Sequence, residues 1–223
     1  MPVNLDTARL LAGMLCPSRS DSQSLASDAD DYASLVRACR ANKMPLLSLD
    51  PGASTHEGFY TSPAFREARK KEKQRLAHQR REYECVHKAL EGMGISDVLI
   101  KSVGLPPSFP YMSDNVDTLV ALRDGPRAKG ALFDLGYVEL KNGEEPHKFL
   151  YRKFHGGTTQ SIIHLHEFVG WGAGFLDGEG VLARSRPSQD DPLVAVPSPE
   201  DGVLITMAHA FYEDKEVKLG DLW

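Results

Sequence analysis

KSVGLPPSFPYMSDNVDTLV, residues Lys101 to Val120, decides how the chain is read. Its middle is a Gly/Ser/Pro-rich stretch that neither helix nor strand tolerates. Short apolar segments flank it, VLIKS on one side and VDTLV on the other. Each has the length and composition of a buried strand. Asn115 and Asp117 are two residues apart, so on a strand they point the same way. Two oxygen-bearing side chains beside a flexible loop suit a hard divalent cation and a triphosphate. Polar pairs also open strands in folds that bind neither.

Working outward, Val116 to Leu122 reads as the second strand. Gly125 to Gly136 reads as a helix with Ala128, Ala131, Leu132 and Leu135 inward. YVELK, KFLYRKF and TQSIIHLH follow as three strands, separated by the turns NGEEP and HGGT. Two helices close the chain. The first is announced by Ser198-Pro199-Glu200-Asp201, which supplies a cap, a first-turn proline and two acids matched to the helix dipole. Upstream, Ser62-Pro63 opens a long helix whose second half carries Tyr83, Val86, Leu90 and Met93 as a core-facing stripe, with Gly92 and Gly94 as its stop. Residues 44–62 read as a turn-rich loop. Helices are expected over DYASLVRACRANK, with Tyr32, Leu35, Val36 and Cys39 on one face, and over residues 5–15. The order predicts an α+β fold: a small mixed sheet between an N-terminal helical region and C-terminal helices. The corresponding segments are 1–94, 95–197 and 198–223, with no internal repeat.

The composition is that of a globular protein. Of 223 residues 41% are hydrophobic and 26% charged, which excludes collagen-like and low-complexity chains. No run approaches the ~18 apolar residues of a membrane span, so no membrane partner is expected. The first 16 residues look like an amphipathic helix and not a signal peptide. Cys16, Cys39 and Cys85 are odd in number and sit in helical contexts. They read as small buried apolar residues of a reducing compartment, which makes a cytoplasmic location the expectation. Net charge is −5, yet the window from Arg66 to Glu82 carries +5 and the remainder −10. Helix 66–81 is therefore a candidate polyanion contact, although a solvated helix face is the plainer account.

His164 and His166 alternate on one strand and share a face, with Asn115 and Asp117 expected on its neighbour. Two imidazoles and a carboxylate make a transition-metal constellation. The competing account is one hydrogen-bonded core histidine and one partly exposed remnant. His209, in ITMAHAF, reads as a satisfied buried histidine. His155-Gly156-Gly157 reads as a hairpin turn. FVGWGAGFLDGEG, Phe168 to Gly180, reads as a mobile lid or an acceptor-binding wall, or else as a loop anchored by a buried Trp171.

Taken in order, LIKS, the loop, DNVDTLV, a helix, LGYVEL, IIHLHEF and SPEDGVLITMAHAFYEDK followed by LGDL resemble the bacterial and archaeal nucleotidyltransferases of the DNA polymerase β superfamily. The resemblance spans roughly residues 29 to 223. It implies a nucleotidyltransferase-like sheet that moves a nucleotidyl group from an NTP to an acceptor hydroxyl with a divalent metal. Carried over by position, Lys101 and Ser102 would meet the triphosphate, Ser102 standing where the family has Gly. Asp117 matches the second metal-binding Asp, and Asn115 replaces the first. His166 matches a family His, while His164 stands where the third carboxylate is usual. No Arg precedes Asn115 in Tyr111-Met112-Ser113, and His209 matches a His of the C-terminal helix. Asp114, by a register shift, or Glu167, by swinging inward, would restore a carboxylate. The metal implied is Mg²⁺, or Mn²⁺ or Zn²⁺ given the histidines. The alternative is a catalytically degenerate nucleotide-binding or protein-interaction module of the same fold.

Overall fold

A computed structural model describes residues 29–49, 57–101, 115–141, 147–170, 174–189, 191–215 and 217–218. They fall into two compact units divided between Arg75 and Leu76. The expected helix over 5–15, Cys16 and the last residues, LGDLW, lie outside the described residues, as do the turn NGEEP and Trp171.

The first unit contains α1 (Ala29–Ala41), a 3-10 turn (Leu46–Ser48), α2 (Glu57–Thr61) and the opening of α3 (Pro63–Gly92). Leu35, Val36 and Cys39 of α1 are buried with Met44, Leu46, Phe59 and Phe65. The stretch 44–62 is thus more ordered than its prolines and glycines suggest. Phe59 and Tyr60 draw Glu57–Thr61 into a helical turn by packing tilted and edge-on against Phe65, at 4.7 and 5.2 Å between ring centroids. Ser62 caps α3, its Oγ accepting from Phe65 N at 3.2 Å. The buried Glu72 accepts from Leu47 N at 3.1 Å, tying the 3-10 turn to α3.

The second unit is built on a five-stranded mixed sheet in the order β1-β2-β5-β4-β3. The strands are β1 (Asp97–Lys101), β2 (Val116–Val120), β3 (Val138–Leu140), β4 (Lys148–His155) and β5 (Thr158–His166). β2 and β5 run parallel, and the other neighbours are antiparallel. Between β2 and β3 lies α4 (Gly125–Asp134). One sheet face buries Leu99, Val116, Val120, Ile163 and Leu165 with Tyr83, Val86 and Leu90 of α3 and Ala128, Ala131 and Leu132 of α4. Truncating Leu90, wholly buried there, to Ala would cost about 2–5 kcal/mol. The opposite face buries Val98, Ile100 and Leu119 with Val181, Ile205 and Ala208. Those last three come from α5 (Gly178–Arg184) and α6 (Pro199–His209).

Several local expectations hold. Ser198 caps α6 by accepting from Asp201 N at 3.2 Å. Gly156 and Gly157 both have positive φ, +55° and +78°, as a two-residue hairpin turn between β4 and β5 requires. Others need correction. β2 ends at Val120, and Leu122 is exposed in a 3-10 turn, because Ala121 already turns the chain toward α4. Met93 is exposed, since α3 ends at Gly92 and Gly94, at φ +69°, redirects the backbone. The helix after β2 ends at Asp134 and not at Gly136, although Leu135 just beyond it still packs half-buried against the core as expected. Cys85 is exposed: one residue before Val86, it sits about 100° around the helix from the buried stripe. The glycine-rich stretch carries regular structure on either side of Trp171–Ala173. Val169–Gly170 pairs with Gly174–Leu176, and Asp177 then caps α5 by accepting from Glu179 N and Gly180 N at 3.2 and 3.0 Å. No helix among the described residues is long and apolar enough to cross a membrane.

Candidate functional site

Strand register places the predicted residues on one sheet face. Lys101 of β1 lies opposite Asp117 of β2, which lies opposite His164 of β5. The next row runs Leu119, His166, Lys148 across β2, β5 and β4. Directly paired residues share a face, so a polar strip crosses four strands beside the apolar contacts of α5 and α6. A break in regular pairing between Leu99 and Lys101 brings Lys101 level with Asp117.

Asp117 is wholly buried and organises the strip. His164 Nδ1 stands 3.1 Å and His166 Nε2 3.0 Å from its Oδ1. Asn115 Nδ2 donates to Oδ2 at 2.6 Å, and Lys101 Nζ lies 3.9 Å from the same oxygen. The two carboxylate oxygens therefore divide their partners, imidazoles on one and amide plus ammonium on the other. Burial pushes the Asp117 carboxyl up, but Lys101 and the two imidazoles outweigh it and hold it well below the usual carboxylate range. Burial pushes His166 down against the opposing pull of Asp117, which favours its neutral form. His166 Nδ1 is buried without a hydrogen-bond partner among the described residues. His164 is the more open of the two rings, at 18% side-chain exposure against 1%.

The structure thus brings Asp117, Asn115, His164, His166 and Lys101 together. Asp114 and Ser102 lie outside the described residues. Glu167 does not join the cluster. It is buried beneath Lys129 Nζ at 3.1 Å and His147 Nδ1 at 3.3 Å. There it lines a separate open pocket of about 490 Å³ with Leu122, Phe168, Leu176 and Asp177. His209 is buried in α6, as expected. Two contributors were not legible from the sequence. Lys148 is buried opposite His166, and the Gln79 side chain of α3 reaches the Asn115 carbonyl at 3.5 Å. Only the alternation of KFLYRKF hinted at the first, and nothing local signalled the second.

The ligand atoms of Asp117, His164 and His166 all lie within 4.8 Å of one another. A Mg²⁺ site needs octahedral oxygen ligands, normally with more than one carboxylate or a substrate phosphate. Here one carboxylate faces two imidazoles, a donor set that fits Mg²⁺ poorly. Comparison of the chain with protein-family models, curated proteins and solved structures found no match.

Proposed function

We infer that the chain is a nucleotidyltransferase-like protein that binds an NTP at the β1–β2 edge and transfers its nucleotidyl group to an acceptor hydroxyl. The observation that carries this reading is the in-register parallel pairing of β2 with β5. It sets Asp117 beside His164 and His166, the two strand positions that the sequence resemblance singles out, with Lys101 at the mouth of the intervening loop. Lys101 would attract the triphosphate as a point charge. Because the donors present do not suit Mg²⁺, no step is assigned to that ion.

A catalytically degenerate module of the same fold is the second reading, and a separate observation favours it. Val203, Leu204, Met207 and Phe211 are exposed along α6 and the turn that follows, an apolar stripe of the kind that marks interaction surfaces. Arg66, Lys70, Lys71, Lys73 and Arg81 are exposed along α3, which supports a polyanion contact under either reading.

Calorimetric titration of the four NTPs with Mg²⁺, Mn²⁺ or Zn²⁺, into wild type and Asp117→Ala, tests the assignment. NTP binding that the folded variant loses, with pyrophosphate release when acceptors are supplied, supports transfer. Binding without release favours the degenerate module. No NTP binding by wild type under any metal removes the nucleotide reading altogether.

A further inference from the structure

We propose that Asp117, His164 and His166 form a binding site for one zinc-class transition-metal ion. This rests on the donor set alone and not on the nucleotide reading. A tetrahedral ion with ligands about 2.05 Å away has ligand–ligand edges of about 3.3 Å. The two edges from Asp117 Oδ1, to His164 Nδ1 and His166 Nε2, are already 3.1 and 3.0 Å. The third is within 4.8 Å. Shifts of a few tenths of an ångström on two edges and closure of the third would seat the ion on the face of Oδ1.

A second observation points the same way. His164 Nδ1 is 3.1 Å from Asp117 Oδ1, an acceptor, and 2.9 Å from Asn115 Nδ2, a donor. A neutral imidazole nitrogen either carries a proton or offers a lone pair. With a proton it satisfies Asp117 and opposes Asn115, and with a lone pair it does the reverse. A cation between the ring and Oδ1 lets both atoms present lone pairs to it, while Asn115 keeps its bond to Oδ2.

The surroundings also favour a nitrogen-loving ion. Oδ2 is fixed by Asn115 and Lys101, so the carboxylate is oriented from behind as ligands of metal sites usually are. Lys101 beside the acid, and Lys148 opposite His166, weaken any ion held by carboxylate charge alone. Imidazole coordination of a zinc-class ion depends less on that charge.

The test uses tag-free, chelator-treated full-length protein and no nucleotide, so its failure leaves the nucleotide reading standing. Zn²⁺ is titrated by calorimetry into wild type and into His164→Gln, chosen because His164 is the most open ligand. The variant's fold is checked by circular dichroism. The expected result is a saturable Zn²⁺ equivalent in wild type that is missing from the folded variant, and no matching Mg²⁺ isotherm. Unchanged stoichiometry in folded His164→Gln, absence of Zn²⁺ binding by wild type, or equal affinity for Mg²⁺ overturns the proposal. Should the variant not fold, the visible spectrum of the Co²⁺-loaded wild type decides. Intense bands of a four- or five-coordinate ion support the site, and the faint spectrum of a six-coordinate aquo ion overturns it.

Discussion

Asn115 donates to Asp117 across 2.6 Å, filling with an amide the place where a second acid would repel the first. Asn115→Asp would replace that bond by a second negative charge beside a wholly buried carboxylate. Without divalent ions the variant should lose roughly 2–3 kcal/mol, read as an earlier urea midpoint. Adding Zn²⁺ or Mn²⁺ should recover more stability in the variant than in wild type. Equal midpoints in chelator would show that the amide does not stabilise the acid.

His87 pairs with the buried Asp97 at 2.7 Å on the other sheet face. The hydrogen bond that the ring donates to Asp97 pushes the imidazole up, burial opposes, and the charges of Asp97, Glu91 and Asp191 add to the rise. A raised folded value means the protonated ring stabilises the fold. That contribution is fully present below the ordinary histidine value of about 6.5 and is lost as pH rises through the raised one. Urea midpoints should therefore fall across that window. His87→Gln keeps a donor without the titration and should flatten the slope. An unchanged slope in the variant would assign the pH dependence elsewhere.

The described cysteines should react very differently. Burial, helped by Glu72, pushes the Cys39 thiol up to about 12, whereas Cys85 is exposed on α3. Brief alkylation of native protein followed by peptide mass spectrometry should find Cys85 modified and Cys39 spared until denaturant is added. Prompt labelling of Cys39 would show that the first unit opens under native conditions.

Gly125 opens α4 directly beneath Glu167. A Cβ there would clash with Glu167 Oε1 and stand 2.9 Å from its carboxyl carbon. The side chain cannot simply swing away, because Lys129 and His147 hold it in a buried position. Gly125→Ala should cost about 1–3 kcal/mol, as overpacking does, despite the better helix propensity of alanine. A thermal midpoint at or above wild type would show that the Lys129 pair yields readily.

Elements written by periodicity were legible in the sequence. The stripe Tyr83, Val86, Leu90 and the short apolar runs of β1 and β2 needed no tertiary information, because side-chain spacing alone fixes their buried faces. Tertiary packing decided the rest. Phe59 and Tyr60 form a helical turn inside a proline- and glycine-rich stretch because Phe65 lies beneath them. The sharing of a face by His164 and His166 was readable from a two-residue period. Their convergence on one oxygen of Asp117 was not, since it depends on β5 entering beside β2 in one register. The engagement of Glu167 by Lys129 was equally hidden, for the two come from separate elements whose approach no local pattern encodes.

That parallel pairing has a consequence for how the protein is made. β4 and β5 join through a two-residue turn and can form early, as hairpins do. β2 meets β5 only after the chain has looped back through α4 and β3, and Asp117 and His164 are 47 residues apart. Such non-local parallel contacts come slowly, since loop closure precedes any gain from them. Whatever grips both residues would latch that loop shut, so occupancy of the strip and resistance of the sheet to parting along this seam should rise together.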